Sequence, residues 1–310
     1  MLRLAGYRVF VIDDLSAGFR WAVQDAELIQ GSIGDRDLLE RCLASNSIDA
    51  VMHFAGSISV SESMQRPDLY YRNNLTNTLT LLDAMKERQI NKLIFSSTAA
   101  IFGDSADSPL DERCAQNPMN PYGRSKWMVE HILDDYDVAF ALKSVCLRYF
   151  NAAGADPEGT LGECHDPETH LIPLVLQVAS GRRPSISVFG DNYPTKDGTC
   201  IRDYIHVEDL CTAHLLALEH LLRGGDSARF NLGNGRGFSV REVIEAAKRV
   251  TRRPIPVEIC PPRTGDSAIL VADSSAIRKM FGWDPKYPDL EQIIEHAWRW
   301  EQTFHCATDF

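Results

Sequence analysis

Tyr122 and Lys126 stand four residues apart in Tyr122-Gly123-Arg124-Ser125-Lys126, and the hydroxyl run Ser96-Ser97-Thr98 directly follows the apolar run Leu93-Ile94-Phe95. On a helix a spacing of four places two side chains on one face, so the ammonium can lower the pKa of the phenol and make it a usable general base. A hydroxyl at a strand end could then meet the same substrate oxygen. By itself a Y-x-x-x-K spacing also fits a solvated helix face. The hydroxyl cluster upstream turns the pair toward chemistry.

The elements that must position these groups alternate along the first half of the chain. Residues 9–12, 50–54, 92–95 and 144–149 are short apolar runs that read as strands buried on both faces, with helical patterns over 35–44, 70–88 and 125–135 between them. Such alternation predicts an α/β fold with a doubly wound parallel sheet. Ligands of these sheets sit beyond the carboxyl ends of the strands, which directs attention to Asp13, Ala55-Gly56, Ser96-Ser97-Thr98 and Phe150-Asn151. After Asn151 the texture changes to Gly, Pro, Asp and Thr, the chemistry of loops and of a domain boundary. The expected organisation is one domain over 1–151, to which part of 206–237 returns, and a smaller C-terminal domain over 152–310. Helices are expected over 173–180 and 207–222, a strand over 229–232, and a helix opened by the Ser239/Glu242 capping box. Gly233-Asn234-Gly235-Arg236-Gly237 reads as a connecting turn, since its spacing is not G-x-G-x-x-G and no acidic residue ends a second strand about 20 residues on.

The 310 residues carry 32 Lys+Arg against 43 Asp+Glu, a net charge of −11, with 44% hydrophobic residues. The acidic balance and the lack of any basic run argue against a nucleic-acid partner. No apolar stretch has membrane-spanning length, and Met1–Arg8 lacks the apolar core of a secretory signal, so a cytoplasmic protein is expected. The 8 Cys are scattered without a C-x-x-C pair and are expected to be ordinary thiols. The 9 His fall into no familiar ligand spacing, so no metal is expected.

Longer strings narrow the identity. His53-Phe54-Ala55-Gly56, Phe95-Ser96-Ser97, Asn120–Lys126, Leu147–Ala155 and Asp197–Val207 together resemble the UDP-glucose 4-epimerase family of the extended short-chain dehydrogenases/reductases, over Gly6 to about Trp300. The resemblance implies that Tyr122 takes a proton from the sugar 4-hydroxyl while C4 gives hydride to NAD, with Lys126 lowering the Tyr122 pKa and bonding the nicotinamide ribose. Thr98 stands where the family more often has Ser. A 4-keto sugar would then receive the hydride on its other face, interconverting UDP-glucose and UDP-galactose. The first domain becomes the dinucleotide-binding domain and the second the UDP-sugar domain.

Asp13 matches the acidic residue on the adenosine ribose, which favours NAD over NADP, although Asp13-Asp14-Leu15-Ser16 also reads as a turn or cap. The other cofactor positions implied are Ile33, Phe54, Ala55, Gly56, Asn73, Lys126 and Phe150, several of which are apolar enough to be core. For the UDP-sugar the match assigns Thr98, Asn151, His170, Leu171, Phe189, Arg202, Arg263 and Asp266. Arg202 and Arg263 suit a diphosphate, whose oxygens guanidinium forks bind bidentately. Tyr149 fits either a core aromatic or a wall of the sugar pocket. A homodimer is left open.

Family members open with a strand, G-x-x-G-x-x-G and a helix, of which Leu2–Gly6 matches only the tail. A start codon assigned too far downstream is favoured over a real truncation, because the catalytic set is intact. The 310-residue form is expected to be poorly soluble or partly unfolded, without activity or copurifying NAD. Gly31-Ser32-Ile33 also replaces the family's Gly-Asp-Ile, and Leu270 occupies a position thought to tune acceptance of N-acetylated sugars. Two alternatives remain: a 4-epimerase of UDP-N-acetylglucosamine, UDP-xylose or UDP-glucuronate, and a non-catalytic nucleotide-sugar binder.

Overall fold

The computed structural model describes residues 1–104, 108–263 and 266–303. The chain divides into two compact units, the first formed by Met1–Gly103, Ala115–Arg148 and Thr212–Phe230, the second by Asp104–Cys114, Tyr149–Cys211 and Asn231–Phe310. In chain order the strands are β1 (Phe10–Asp13), β2 (Glu27–Gln30), β3 (Val51–His53), β4 (Lys92–Thr98), β5 (Lys143–Tyr149) and β6 (Asn151–Ala153). They continue with β7 (Ile186–Phe189), β8 (Ile201–His206), β9 (Ala228–Leu232), β10 (Gly237–Ser239), β11 (Val257–Cys260) and β12 (Ile269–Leu270).

In the first unit β1 pairs in parallel with β2, and a second sheet has the order β3-β4-β5-β9, with β3 and β4 parallel. Among the described residues the expected doubly wound sheet is thus present as two sheets. Leu39, Leu82, Met85, Leu93, Phe95, Val129 and Leu133 form one buried core, against which Ile12 and Val51 pack. Helices Arg36–Ser45, Asn77–Glu87 and Pro121–Phe140 each contribute one apolar face to it.

Local chemistry explains where the elements depart from the periodicity. The helix expected over 125–135 runs from Pro121 to Phe140, because the Asn120 side chain accepts the Gly123 N–H at 2.8 Å and Pro121 suits a first turn. It stops at Ala141, whose φ of 55° is left-handed. The pattern expected over 70–88 is a helix Pro67–Tyr70, a π-helical turn Tyr71–Thr76 and a helix Asn77–Glu87. β4 extends to Thr98, so the hydroxyl run lies on the strand rather than after it.

One buried ion pair ties this unit together. Glu130 and Arg148 are each 1% exposed, and the Arg148 guanidinium reaches the Glu130 carboxylate with Nε at 3.0 Å and Nη2 at 2.5 Å. Ser97 Oγ donates to the same carboxylate at 2.5 Å and Arg229 Nε at 3.1 Å. Strands β4, β5 and β9 and the Pro121–Phe140 helix are therefore joined at one carboxylate.

In the second unit β8 pairs antiparallel with β10 and parallel with β12 and β6, while β7 and β11 pair in parallel. Its core gathers Ile172, Val175, Leu176, Val243, Ile244, Ile293 and Ile294 from helices Leu171–Ala179, Val240–Thr251 and Leu290–Thr303. The Ser239/Glu242 capping box forms as expected. Residues 233–237 form the turn into β10, with the Asn234 and Gly235 N–H groups donating to the Asp203 carboxylate at 2.8 and 3.0 Å. Six described cysteines are free thiols, whereas Cys164 is disulfide-bonded, which corrects the expectation of ordinary thiols throughout.

Glu130→Gln leaves the buried Arg148 charge without its counter-ion. Urea unfolding should show a stability loss of about 3–5 kcal/mol, the usual cost of halving a buried ion pair.

Candidate active site

Thr98, Tyr122 and Lys126 are brought together in the first unit. Thr98 closes β4, 7% exposed, and its Oγ1 accepts the Ala100 N–H at 3.1 Å. Burial pushes the Tyr122 phenol up, and a hydrogen bond to Thr98 pulls it part of the way back. Lys126 is 2% exposed, with Nζ donating to the Ser96 carbonyl at 3.0 Å and lying 4.9 Å from the Phe95 ring centroid. Burial lowers its pKa to about 8. The expected depression of the Tyr122 pKa is not what this arrangement gives: desolvation of the phenol dominates, and the ammonium is engaged by a backbone carbonyl.

Asn74, which the sequence reading passes over, positions this group. Buried within the π-helical turn, it accepts the Ser57 N–H at 2.7 Å and donates to the Ser57 carbonyl at 3.0 Å and to Ser125 Oγ at 3.1 Å. Ser125 Oγ in turn donates to the Tyr122 carbonyl at 2.8 Å. One amide thus joins the loop after β3 to the first turn of the helix bearing Tyr122 and Lys126. Its only sequence signal is the Asn73-Asn74 pair, and π-helical turns recur at functional sites.

The expected cofactor residues of this unit follow the strands. Asp13 ends β1 and takes the Leu15 N–H on Oδ1 at 2.7 Å, so it caps a turn while keeping a second oxygen. Gly18 belongs to this turn, since a Cβ there would lie 2.9 Å from Asp13 Oδ1. Ile33 is half-buried beyond β2, and Phe54 and Ala55 are exposed beyond β3. The Phe54 ring lies 4.9 Å from that of His214. Gly56 has φ 152°, and a Cβ there would lie 2.9 Å from Asn74 Oδ1 and 3.5 Å from Lys126 Nζ. Asn73 donates to Ser57 Oγ at 3.0 Å. This set of an acidic acceptor, an exposed ring, an amide and a buried ammonium fits the ribose, ring and amide groups of a dinucleotide.

The second unit carries the remaining residues. Tyr149 and Phe150 are half-buried where β5 ends, and Asn151 Nδ2 donates to the Asp203 carbonyl at 2.9 Å. The Arg263 guanidinium lies 3.8 Å from the Phe189 ring centroid, and Arg202 Nη2 donates to Asp266 Oδ1 at 3.3 Å. Leu270 stands opposite Arg202 in the β8/β12 register. Leu171 begins the helix 171–179, half-buried against the core.

His170 sits in a cluster the sequence reading does not contain. Its Nδ1 is 2.7 Å from Glu163 Oε1 and 3.0 Å from Glu168 Oε1, and His165 Nδ1 is 3.4 Å from a carboxylate oxygen of each. Burial opposes protonation of His170, yet the two carboxylates push it up to about 10, and they raise His165 to about 9. The E-x-H-x-x-E-x-H spacing is not a familiar metal-ligand spacing, so the sequence carries no cue to the cluster.

Strand ends bearing an acidic residue and hydroxyls, with a half-buried Tyr and a buried Lys one turn apart on the following helix, define a dinucleotide-dependent enzyme of the extended short-chain dehydrogenase/reductase class. Residues 1–233 match the model of the NAD dependent epimerase/dehydratase family, and the chain belongs to that family. A UDP-glucose 4-epimerase of Halalkalibacterium halodurans is 51% identical over 297 residues, 96% of this chain and 89% of the relative. The crystal structure of the Brucella ovis UDP-glucose 4-epimerase in complex with NAD superposes with a TM-score of 0.93 at 47% identity, covering 96% of this chain and 91% of that one. That of the Bifidobacterium longum enzyme in complex with NAD+ and UDP gives 0.92 at 38% identity, covering 97% and 92%. Among the described residues no helix is long and apolar enough to cross a membrane.

Lys126 gives a pH signature. Its folded pKa of about 8 lies below the ordinary 10.5, so between these values the unfolded chain holds the proton and the folded chain does not. Stability therefore rises with pH in this window, by up to about 1.4 kcal/mol per unit. Denaturant midpoints of wild type and Lys126→Met, compared from pH 8 to 10, should show the extra slope in wild type alone.

Proposed function

We propose that the protein interconverts UDP-glucose and UDP-galactose through a transient 4-keto sugar. The observation that carries this reading is the half-buried Tyr122, hydrogen-bonded to Thr98 with the buried Lys126 one turn on, in a chain about half identical to UDP-glucose 4-epimerases over nearly its whole length. Bound NAD would supply the acceptor and donor for the C4 hydride, so that no net redox would result.

Tyr122 accepts the proton of the sugar 4-hydroxyl as the C4–H bond breaks and gives it back when the ketone is reduced. Thr98 holds the same oxygen through its hydroxyl. Lys126 remains mostly charged at neutral pH with a pKa of about 8, and its ammonium, with the positive charge of the oxidised cofactor, favours the phenolate that burial alone disfavours. It also offers hydrogen bonds to the nicotinamide ribose. Asp13 takes the adenosine ribose, and Ile33, Phe54, Ala55, Gly56, Asn73 and Phe150 line the cofactor.

The first unit is the dinucleotide-binding domain and the second the UDP-sugar domain. In the latter Arg202 and Arg263 pair with the diphosphate, Asp266 and Phe189 hold the two guanidinium groups in place, and Tyr149, Asn151, His170 and Leu171 contact the rest of the nucleotide sugar. The protein acts in the cytoplasm, as a homodimer.

Incubated with NAD and UDP-galactose, a form extended upstream by the family's opening strand and G-x-x-G-x-x-G loop should yield UDP-glucose without added reductant. Tyr122→Phe should lower kcat by about 10²–10⁴-fold, the usual worth of a positioned acid/base, with cofactor still bound. A kcat/KM for UDP-glucuronate more than about tenfold above that for UDP-galactose, a margin of about 1.4 kcal/mol, would overturn the substrate assignment.

A further inference from the structure

Glu163, His165, Glu168 and His170 each present one ligand atom, and these four atoms lie within 4.8 Å of one another. The separations at the carboxylate–imidazole edges are 2.7, 3.0, 3.4 and 3.4 Å. Donors bound tetrahedrally to zinc at about 2.0–2.2 Å stand roughly 3.4 Å apart, so the carboxylate–imidazole edges bracket the required spacing, and a pair as wide as the 4.8 Å limit closes on an ion with a shift of about 1.4 Å.

Hydrogen bonds and one close backbone approach hold the chain around these atoms. Glu168 is held by the backbone N–H groups of Thr169 and His170 at 2.7 and 2.8 Å, which orient its carboxylate as outer-shell partners orient metal ligands. At the other end, Trp300 Nε1 donates to the Glu163 carbonyl at 3.0 Å, and a Cβ on Gly162 would lie 2.2 Å from the Trp300 ring, so only glycine lets the chain pass there. His170 immediately precedes the helix Leu171–Ala179, whose apolar face is part of the second unit's core.

We propose that these four residues form a structural site for a divalent metal ion, Zn2+, that staples the 163–170 loop to the start of the 171–179 helix. Two imidazole nitrogens and two carboxylate oxygens suit zinc, and hard oxygen-seeking Mg2+ and Ca2+ are disfavoured by the imidazoles. With four protein ligands the ion keeps no open position, as in structural sites. The two carboxylate charges are neutralised by the ion.

The test is metal content of the full 310-residue chain, untagged, stripped by a chelator, supplied with zinc sulfate and desalted. Elemental analysis should find about one zinc ion per chain in wild type. His165→Ala should weaken zinc binding by more than about 100-fold, beyond the loss that outer-shell changes cause, and His165→Cys should restore it through a thiolate ligand. Cobalt substitution should give tetrahedral ligand-field bands in wild type and in His165→Cys but not in His165→Ala, with circular dichroism confirming that each variant is folded. Wild type that stays metal-free, or His165→Ala that keeps its zinc, would overturn the proposal and leave the four residues as ion pairs only. Metal content is read without turnover, so this result stands apart from that of the epimerase assay.

Discussion

The first unit depends on the carboxylate of Glu130. Desolvating it costs several kcal/mol, and the cost is met only because Arg148, Arg229 and Ser97 all supply hydrogen bonds to it. Each partner comes from a different strand, so satisfying the charge fixes β4, β5 and β9 against one helix. That helix carries Tyr122 and Lys126 on its first turns, and the strand holding Ser97 ends one residue later at Thr98. The geometry of the reacting groups is thus inherited from an electrostatic requirement one to two helical turns away.

The second unit has a counterpart in Asp203. This fully buried side chain accepts the N–H groups of Asn234, Gly235 and Ala272 at 2.8, 3.0 and 3.1 Å. Burial raises it to about 6 and those three donors hold it down. Its neighbour Arg202 projects from the adjacent position of β8, so the buried carboxylate sets the strand from which the guanidinium reaches Asp266. In each unit a buried, fully hydrogen-bonded carboxylate supports an ionisable group with a proposed role.

Close backbone approach is the second constraint. Gly154 has φ 85°, and a Cβ there would lie 2.7 Å from the His206 ring, so the turn after β6 can lie against β8 only as glycine. Gly56 plays the same part between Asn74 and Lys126. Both occur in strings that mark the family, and both mark places where a side chain would hold two elements apart.

The sequence by itself determined what depends on local pattern and residue chemistry. Alternating apolar runs placed most of the first unit's strands, the Ser239/Glu242 spacing opened its helix, and Tyr122, Lys126 and Thr98 were visible because a four-residue spacing and a strand end are local features. Only the tertiary structure decided what depends on burial and on contacts far apart in the chain. It placed the Lys126 ammonium on a backbone carbonyl and left desolvation to govern Tyr122, whereas spacing alone promised a lowered phenol. It recruited Asn74, whose partners Ser57 and Ser125 lie 17 and 51 residues away. It also folded Glu163, His165, Glu168 and His170 inward on one another, because side-chain direction in an irregular loop has no period from which spacing could be read.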